Sequence, residues 1–179
     1  MEVIMAEHAG FCFGAKRAVD TIYEQIELGS RIYTYGPIVH NEEVVKDLER
    51  KGVEVIDTEQ QLKEISEGTV MIRAHGVPRR IKETIERKGL KCVDATCPFV
   101  KRIHDIVEKE SEAGKKIVII GNAGHPEVVG IMDRSKEPAT VIGTLEEAHE
   151  FICGTDEEIC VVSQTTFNYN KFQDMVEIF

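Results

Sequence analysis

Short apolar runs alternate with amphipathic helical stretches along the chain, and this alternation limits the possible folds more than any other feature. Runs such as TVMIRA (69–74) and KKIVIIG (115–121) have the length and residue types of buried strands. Stretches such as PFVKRIHDIVEKESEAG (98–114) instead repeat apolar residues at helical spacing. Strands that alternate with helices predict βαβ units, whose parallel sheets are covered by helices on both faces. We therefore expect an α/β fold.

The pattern predicts a series of elements with recognisable ends. Asn41 is the expected N-cap of the second helix, and Gly29 is expected to stop the first. The predicted strands cover residues 2–6, 31–36, 53–56, 69–74, 90–96, 115–121, 139–143 and 158–164. The predicted helices cover residues 15–28, 41–52, 78–89, 98–114, 125–132, 144–152 and 170–179.

Two similar small α/β domains account for this series. Pro98 opens a long helix, so we place the division there, with a first domain at 1–96 and a second at 97–179. An internal echo supports the repetition, because GPIVHNEEVV, IRAHGVPRRI and GNAGHPEVVG each lead from a strand through a histidine turn into a helix.

Composition narrows the class of protein. The formal net charge of −10 disfavours nucleic acid and anionic membrane surfaces as partners. The acidic N-terminus does not resemble a signal peptide, and no apolar run approaches the ~18 residues of a membrane span. Five cysteines without a C-x-x-C pair are typical of free thiols in a reducing compartment, so we expect a cytoplasmic protein.

Three histidines occupy equivalent strand-to-helix turns. His40, His75 and His125 each precede a predicted helix, whose first N–H groups and dipole favour anions. In parallel sheets ligands bind at the carboxyl ends of strands, so these turns together predict a site for a phosphate or diphosphate. The alternative is that each histidine is only a helix cap or an exposed turn residue. His104 and His149 lie within helices and are predicted to be surface or packing residues.

Two cysteines differ from the others by position. Cys12 in GFCFGAKRAV and Cys97 in DATCPFV precede predicted helices, where a thiolate that binds a metal or attacks an electrophile is stabilised. Cys92 and Cys160 lie within apolar strands and are predicted to be core thiols, and Cys153 has no assigned role.

A carboxylate and a group of hydroxyls complete the candidate residues. Glu127 falls in the first turn of the helix that Pro126 opens, beside His125, although a first-turn glutamate also serves simply to balance the helix dipole. Ser163, Thr165 and Thr166 follow an apolar strand, where hydroxyl groups can orient a ligand or a carboxylate. By itself this last pattern is not specific.

Six segments taken in order resemble one known family. GFCFGAKRAV, GPIVHN, AHGV, DATCPFV, GHPEVVG and SQTT match the 4-hydroxy-3-methylbut-2-enyl diphosphate reductase (LytB) family, over residues 1 to about 166. The resemblance implies a pseudo-threefold arrangement of three small α/β domains around a central [4Fe-4S] cluster. It also implies reductive loss of the substrate's allylic hydroxyl as water, giving isopentenyl and dimethylallyl diphosphate in isoprenoid biosynthesis by the methylerythritol phosphate pathway.

The resemblance also assigns roles to residues. Cys12 and Cys97 match two of the three cluster ligands. The substrate diphosphate would be held by His40, His75 and His125. Glu127 matches the proton donor, and the diphosphate and reduced cluster nearby would favour its protonated form. Thr165 matches the hydroxyl that holds this carboxylate and the substrate, and ferredoxin or flavodoxin is the implied electron donor.

The last third of the family pattern has no counterpart in this chain. The family's third cysteine lies in a later motif of the type DTIC-AT--RQ, which has no counterpart in this sequence. We therefore expect the first two domains of a three-domain protein, which would hold a four-iron cluster poorly by themselves. The terminal apolar residues Met175, Val176, Ile178 and Phe179 are expected to lack packing partners.

Other interpretations remain open from the sequence. The missing third cysteine favours a fragment that binds a diphosphate without redox chemistry. A zinc hydrolase could use Cys12, Cys97 and His125, because thiolates bind zinc as well as iron. The echoing turns are also compatible with a structural repeat that contains no site.

Overall fold

The computed structural model describes residues 3–4, 10–154 and 156–179. The helices are α1 (Phe13–Glu27), α2 (Glu42–Arg50), α3 (Glu59–Glu64), α4 (Arg79–Arg87), α5 (Pro98–Glu112), α6 (Pro126–Met132), α7 (Leu145–Glu150) and α8 (Tyr169–Val176). The strands are β1 (Ile32–Tyr35), β2 (Val53–Ile56), β3 (Thr69–Ile72), β4 (Lys91–Asp94), β5 (Lys116–Ile120), β6 (Thr140–Ile142) and β7 (Ile159–Ser163).

The strands form two separate sheets, and every pairing in them is parallel. The first sheet has the order β2-β1-β3-β4, and the second has the order β6-β5-β7. In both sheets the chain builds outward from a central strand and then crosses to its other side, as in doubly wound folds. The expected α/β fold with two small parallel sheets is confirmed.

Each sheet has its own hydrophobic core on both faces. Helices α1 and α2 pack on one face of the first sheet, and α3 and α4 pack on the other. Helices α5 and α6 cover one face of the second sheet, and α7 and α8 cover the other. Among the described residues, no hydrophobic cluster contains residues of both sheets. Within the described ranges, each half therefore has a hydrophobic core of its own.

Most predicted elements are confirmed within one or two residues at each end. Helix α3 was not predicted, although Thr58 and Gln61 form a capping box that marks its start. The predicted first strand at 2–6 lies mostly outside the described residues, and Val3 and Ile4 within it are exposed and not in a strand. The division into domains at residues 96 and 97 stays a prediction.

The C-terminal helix packs better than the sequence suggested. Met175 is only 1% exposed and belongs to the core between the second sheet and α7. The ring of Phe179 contacts that of Phe151, with centroids 5.4 Å apart. Ile178 also packs against this core, so the expectation that the segment lacks packing partners is wrong for Met175, Ile178 and Phe179. None of the helices in the described ranges has the length and apolar character needed to cross a bilayer.

His104 lies between the two halves of the structure. It is 6% exposed on α5, and its ring packs beside Gly76 and Gly130, which confirms a packing role, whereas His149 is exposed on α7. The pKa of His104 is lowered to about 4, mainly by burial and in smaller part by the positive charge of Arg134, against the opposing effect of nearby aspartates. The folded protein therefore keeps this imidazole neutral between about pH 6.5 and pH 4, where a solvated histidine accepts a proton.

We predict that acid destabilises the protein partly through His104. Between about pH 6.5 and pH 4 the unfolded chain binds a proton there and the folded chain does not, so the free energy of unfolding falls as the pH falls. The free energy of unfolding is measured by urea titration at pH 7, 6 and 5. It should change less steeply with pH in His104→Gln than in wild type, whereas His149→Gln should keep the wild-type pH dependence. Equal slopes in wild type and His104→Gln would contradict the prediction.

Candidate active site

The fold brings the predicted site residues to the two points where the strand order reverses. In the first sheet these are the turns after β1 and β3, which contain His40 and His75. In the second sheet they are the turns after β5 and β7, which contain His125 and Thr165. Turns at such a point diverge to opposite faces of the sheet and leave a crevice between them. The two crevices meet in one cavity.

This cavity has a volume of about 310 Å³ and contains six of the seven predicted site residues. The predicted residues in its lining are Cys12, His40, His75, Cys97, Glu127 and Thr165. His125 is not part of the lining, but its ring contacts that of His75. Six of the seven residues therefore lie around one cavity, and their roles stay predictions.

The three imidazoles form a row with His75 in the middle. Its ring centroid lies 4.8 Å from that of His40 and 5.6 Å from that of His125. Aromatic rings at these distances are in contact. Because the rings come from three different turns, the row can present several N–H groups to one ligand, which suits an oxyanion with several oxygens.

His75 is neutral at physiological pH. Its pKa is lowered to about 4, mainly by burial and in smaller part by electrostatic interaction with His40, Arg73 and His125. Its Nδ1 atom is buried and has no hydrogen-bond partner among the described residues. Since buried polar atoms are normally paired, the protein by itself leaves this ring incompletely satisfied.

Helices α1 and α5 begin at the two cysteines in an unusual way. Cys12 and Cys97 occupy the N-cap positions, and neither helix has a side-chain cap or an acidic residue in its first turn. The caps of α2, α3, α6, α7 and α8 all use a side chain. Among the residues that the structure describes, the positive ends of α1 and α5 are therefore uncompensated by their own caps or first turns, and at the cavity they favour thiolates or another anion.

Cys97 is held in place by contacts from several elements. Its N–H donates to the carbonyl of Ala74, next to His75, at 2.9 Å. Arg17 of α1 donates to the carbonyl of Thr96 at 3.1 Å. A side chain at Gly14 would place its Cβ 2.5 Å from the Cys97 sulfur, closer than any real contact. Only glycine at this position lets α1 approach Cys97 so closely.

Glu127 is completely buried, and both of its carboxylate oxygens are held by one residue. The backbone N–H of Thr165 donates to Oε1 at 2.7 Å, and the Thr165 hydroxyl donates to Oε2 at 3.0 Å. Thr165 follows β7 and Glu127 follows β5, so the pair spans the crevice of the second sheet. This contact confirms that the two residues lie together, as the sequence predicted.

His125 caps helix α6 through its side chain. Its Nδ1 accepts a hydrogen bond from the N–H of Glu127 at 3.2 Å, so the capping role considered for the histidines from the sequence is present at this one. An accepting Nδ1 carries no proton, so the hydrogen of the neutral ring lies on Nε2. His125 thereby positions Glu127 and keeps one N–H donor for a ligand.

Sequence reasoning missed two residues that hold parts of the site in place, Gly14 in the cavity lining and Gln164 behind it. Gln164 is 9% exposed and joins two turns, because its Oε1 accepts from the N–H of Asn122 at 2.9 Å and its Nε2 donates to Thr166 at 2.9 Å. Gln164 lies within the SQTT segment, but the sequence prediction rested on the hydroxyl residues of that segment alone. Gly14 was also missed, although the glycines on either side of Cys12 were a visible signal.

The geometry argues against a zinc site. Zinc holds its ligand atoms about 2.0–2.3 Å from a single point. Among residues 3–4, 10–154 and 156–179, no group of three or more His, Cys, Asp or Glu side chains is placed to bind a metal ion. The zinc site of Cys12, Cys97 and His125 considered above is therefore not formed.

An iron–sulfur cluster makes a different demand on its ligands. It is a bulky group bound through thiolates spread around it, rather than a single ion. Cys12 and Cys97 fit as two of its ligands, because both line the same cavity and each stands at the start of a helix, α1 or α5. The other cysteines do not line this cavity, and burial raises the pKa of Cys92 and of Cys160, as expected for core thiols.

Comparison with known proteins finds relatives that share one name. A protein named 4-hydroxy-3-methylbut-2-enyl diphosphate reductase comes from Caldanaerobacter subterraneus subsp. tengcongensis. It is 43% identical over an aligned length of 180, and the match covers 99% of this chain and 62% of that protein. The protein of the same name from Geobacter metallireducens is 43% identical over 176 residues, which are 98% of this chain and 61% of that one. This chain thus spans about three-fifths of the length of these relatives.

Solved structures show the same likeness in the fold. The structure of the Plasmodium falciparum E-1-hydroxy-2-methyl-but-2-enyl-4-diphosphate reductase matches with a TM-score of 0.89 and 28% identity, over 96% of this chain and 54% of that one. A structure of (E)-4-hydroxy-3-methyl-but-2-enyl diphosphate reductase matches with a TM-score of 0.80 and 40% identity, over 98% of this chain and 63% of that one. The family model described as LytB protein matches residues 3–179. The chain therefore belongs to the LytB protein family.

Proposed function

We propose that this chain forms the substrate and proton-donor side of a 4-hydroxy-3-methylbut-2-enyl diphosphate reductase. The reaction adds two electrons and two protons, breaks the allylic C–O bond and releases the oxygen as water, giving isopentenyl and dimethylallyl diphosphate. The observation that supports this most is that two thiols, two imidazoles and the buried Glu127 line one cavity. Relatives of that name are 43% identical to this chain.

The substrate diphosphate would lie along the row of imidazoles. His40, His75 and His125 offer N–H donors from three turns, and imidazole N–H groups suit hydrogen bonding to phosphate oxygens. The low pKa of His75, which burial causes, means that this ring binds as a neutral donor unless the ligand's own charge raises that pKa.

Cys12 and Cys97 would hold a [4Fe-4S] cluster at the same cavity, together with ligands that this chain does not provide. When bound, such a cluster supplies electrons and an iron that polarises the allylic oxygen. The uncompensated ends of α1 and α5 would stabilise the negative charge of its thiolates.

Glu127 would deliver a proton to the departing oxygen. A backbone N–H can only donate, and the one that binds Oε1 needs that oxygen as an acceptor. A proton on the carboxyl group would therefore lie on Oε2. The hydroxyl of Thr165 beside Oε2 can rotate and accept instead of donate, so the pair accommodates both protonation states of Glu127. Thr165 thus keeps the carboxyl group oriented before and after the transfer.

The remaining assignments are extensions of the same proposal. Ferredoxin or flavodoxin would donate the electrons, as the family resemblance suggests. A reducing, cytoplasmic setting suits the five cysteines, all of which are free thiols. A second candidate function is diphosphate binding without redox chemistry, and the presence of only two cysteines in the described cavity lining favours it.

We expect His75→Ala to weaken binding of inorganic pyrophosphate about ten-fold or more, because a hydrogen bond to a charged group contributes about 1.5–3 kcal/mol. Isothermal titration calorimetry measures the affinity, and far-UV circular dichroism checks the fold. The matched control His149→Ala, at an exposed position of α7, should bind as wild type does. Wild-type affinity in a folded His75→Ala protein would exclude the row of imidazoles as the binding site.

The thiols are tested by anaerobic reconstitution with iron and sulfide. Cys12→Ser and Cys97→Ser should each lose most of the bound iron, sulfide and dithionite-bleachable visible absorption, whereas Cys160→Ser in the core should retain them. Equal iron content in all three variants would refute the assignment. A wild-type chain that binds pyrophosphate but takes up neither iron nor sulfide would favour the second candidate function.

Glu127→Gln should keep substrate binding and lose turnover. A glutamine side chain can retain both contacts to Thr165 but has no acidic proton, and general acid catalysis typically contributes about 10²–10⁴-fold. The measurement is single-turnover product formation in the reconstituted protein, with Glu150→Gln on the exposed face of α7 as control. Undiminished product formation in Glu127→Gln would eliminate this carboxyl group as proton donor.

A further inference from the structure

The two halves of the molecule meet without a shared hydrophobic core, as described above. Specific hydrogen bonds and ion pairs between the halves can therefore contribute to their register. This matters for the site, because His75 belongs to the first half and His125 and Glu127 to the second. The rings of His75 and His125 touch across this boundary at 5.6 Å.

Helix α4 of the first half begins without a cap from its own segment. Its N-cap residue is Pro78, which forms no side-chain cap, and its first turn contains no acidic residue. The missing acceptor comes from the second half, where Oδ2 of Asp133 accepts from the N–H of Arg79 at 2.5 Å. Asp133 thus caps a helix that lies 54 positions away in the sequence.

Further contacts gather around this cap. Oδ1 of Asp133 lies 3.5 Å from the guanidinium of Arg80, and Arg134 donates to the carbonyl of Val77 at 3.3 Å. The Arg79 side chain pairs with Glu108 of α5 at 2.8 Å. All of these contacts join the segment after β3 to helices α5 and α6, in a region away from the lining of the cavity.

Asp133 is also fixed relative to the catalytic groups, because it is the C-cap residue of α6. Its backbone N–H donates to carbonyls of the last turn of α6, so Asp133 is held at the end of that helix. His125 and Glu127 stand at the other end of this seven-residue helix. A helix of this length is a rigid rod of about 10 Å.

We propose that Asp133 is a positioning residue of the site, which holds His75 in register with His125 and Glu127 by capping α4 from the end of α6. One end of α6 holds the imidazole and the carboxyl group, and the other end holds the start of α4. His75 precedes α4 in the same short turn, so the cap fixes the separation of the two histidine rings. The consequence for ligand binding rests on the proposed function.

Three variants separate the cap from the charge. Asp133→Ala removes the acceptor, whereas Asp133→Asn keeps an acceptor oxygen and loses the charge. Glu59→Ala removes the other partner of Arg80, which lies at 2.7 Å, and leaves the cap intact. If the cap is what matters, only Asp133→Ala will disturb the site.

The first measurement needs no ligand. In ¹H–¹³C spectra of protein with labelled histidines, the ring signals of His75 and His125 depend on the contact between the two rings. Asp133→Ala should shift both signals and leave that of the exposed His149 unchanged, whereas Asp133→Asn and Glu59→Ala should reproduce the wild-type spectrum. The second measurement is the affinity for inorganic pyrophosphate, which Asp133→Ala should weaken about ten-fold, equivalent to about 1.4 kcal/mol.

The outcomes distinguish the possible roles. Unfolding at lower urea concentration in Asp133→Ala, with both histidine signals unmoved, would mean that the cap only stabilises the fold and would overturn the proposal. Equal shifts in Asp133→Asn and Asp133→Ala would also overturn it, because charge and not capping would then be responsible. Histidine shifts as expected in a protein that does not bind pyrophosphate would uphold the positioning role and refute the proposed function.

Discussion

Parallel strand pairing is the constraint on which the rest of this structure depends. Because all five pairings are parallel, every strand-to-helix turn of a sheet emerges at the same edge. The reversal of strand order then separates two neighbouring turns in each sheet and opens a crevice between them. The histidines, Glu127 and Thr165 lie in these turns and need no long loops to reach one another.

Much of this arrangement could be predicted from local sequence. The apolar runs and helix caps determine the order of elements, and that order determines parallel sheets, so His40 and His75 could be placed at one edge in advance. Helix α3 escaped prediction because its short apolar pattern is weak, although the capping box of Thr58 and Gln61 was present. The packing of Met175 depends on α7 and β5, which the terminal segment alone does not reveal.

Contacts between distant segments could not be predicted in this way. The approach of Gly14 to Cys97 depends on how α1 crosses the end of the first sheet, and nothing in either segment encodes that angle by itself. The contact of Asp133 with Arg79 likewise depends on how the two halves meet. Such contacts follow from the sum of many weak packing preferences, whereas strands and caps follow from a few neighbouring residues.

Global charge is also a poor guide to this site. The chain carries a net charge of −10, yet two of the helices that begin at its cavity, α1 and α5, have no acidic residue in their first turns. Fixed partial charges on backbone groups act over a few ångströms, and the acidic side chains that set the net charge are spread over solvated surfaces. An anion that is repelled at long range can therefore still be bound once it enters.

The length of α6 acquires a meaning from its two ends. Adding or deleting one residue between His125 and Asp133 would rotate one end against the other by about 100° and shift it by about 1.5 Å. A change of residue type in the middle of the helix leaves this geometry intact, whereas a change in their number does not. Insertions and deletions in this segment should therefore be rejected during evolution far more strictly than substitutions.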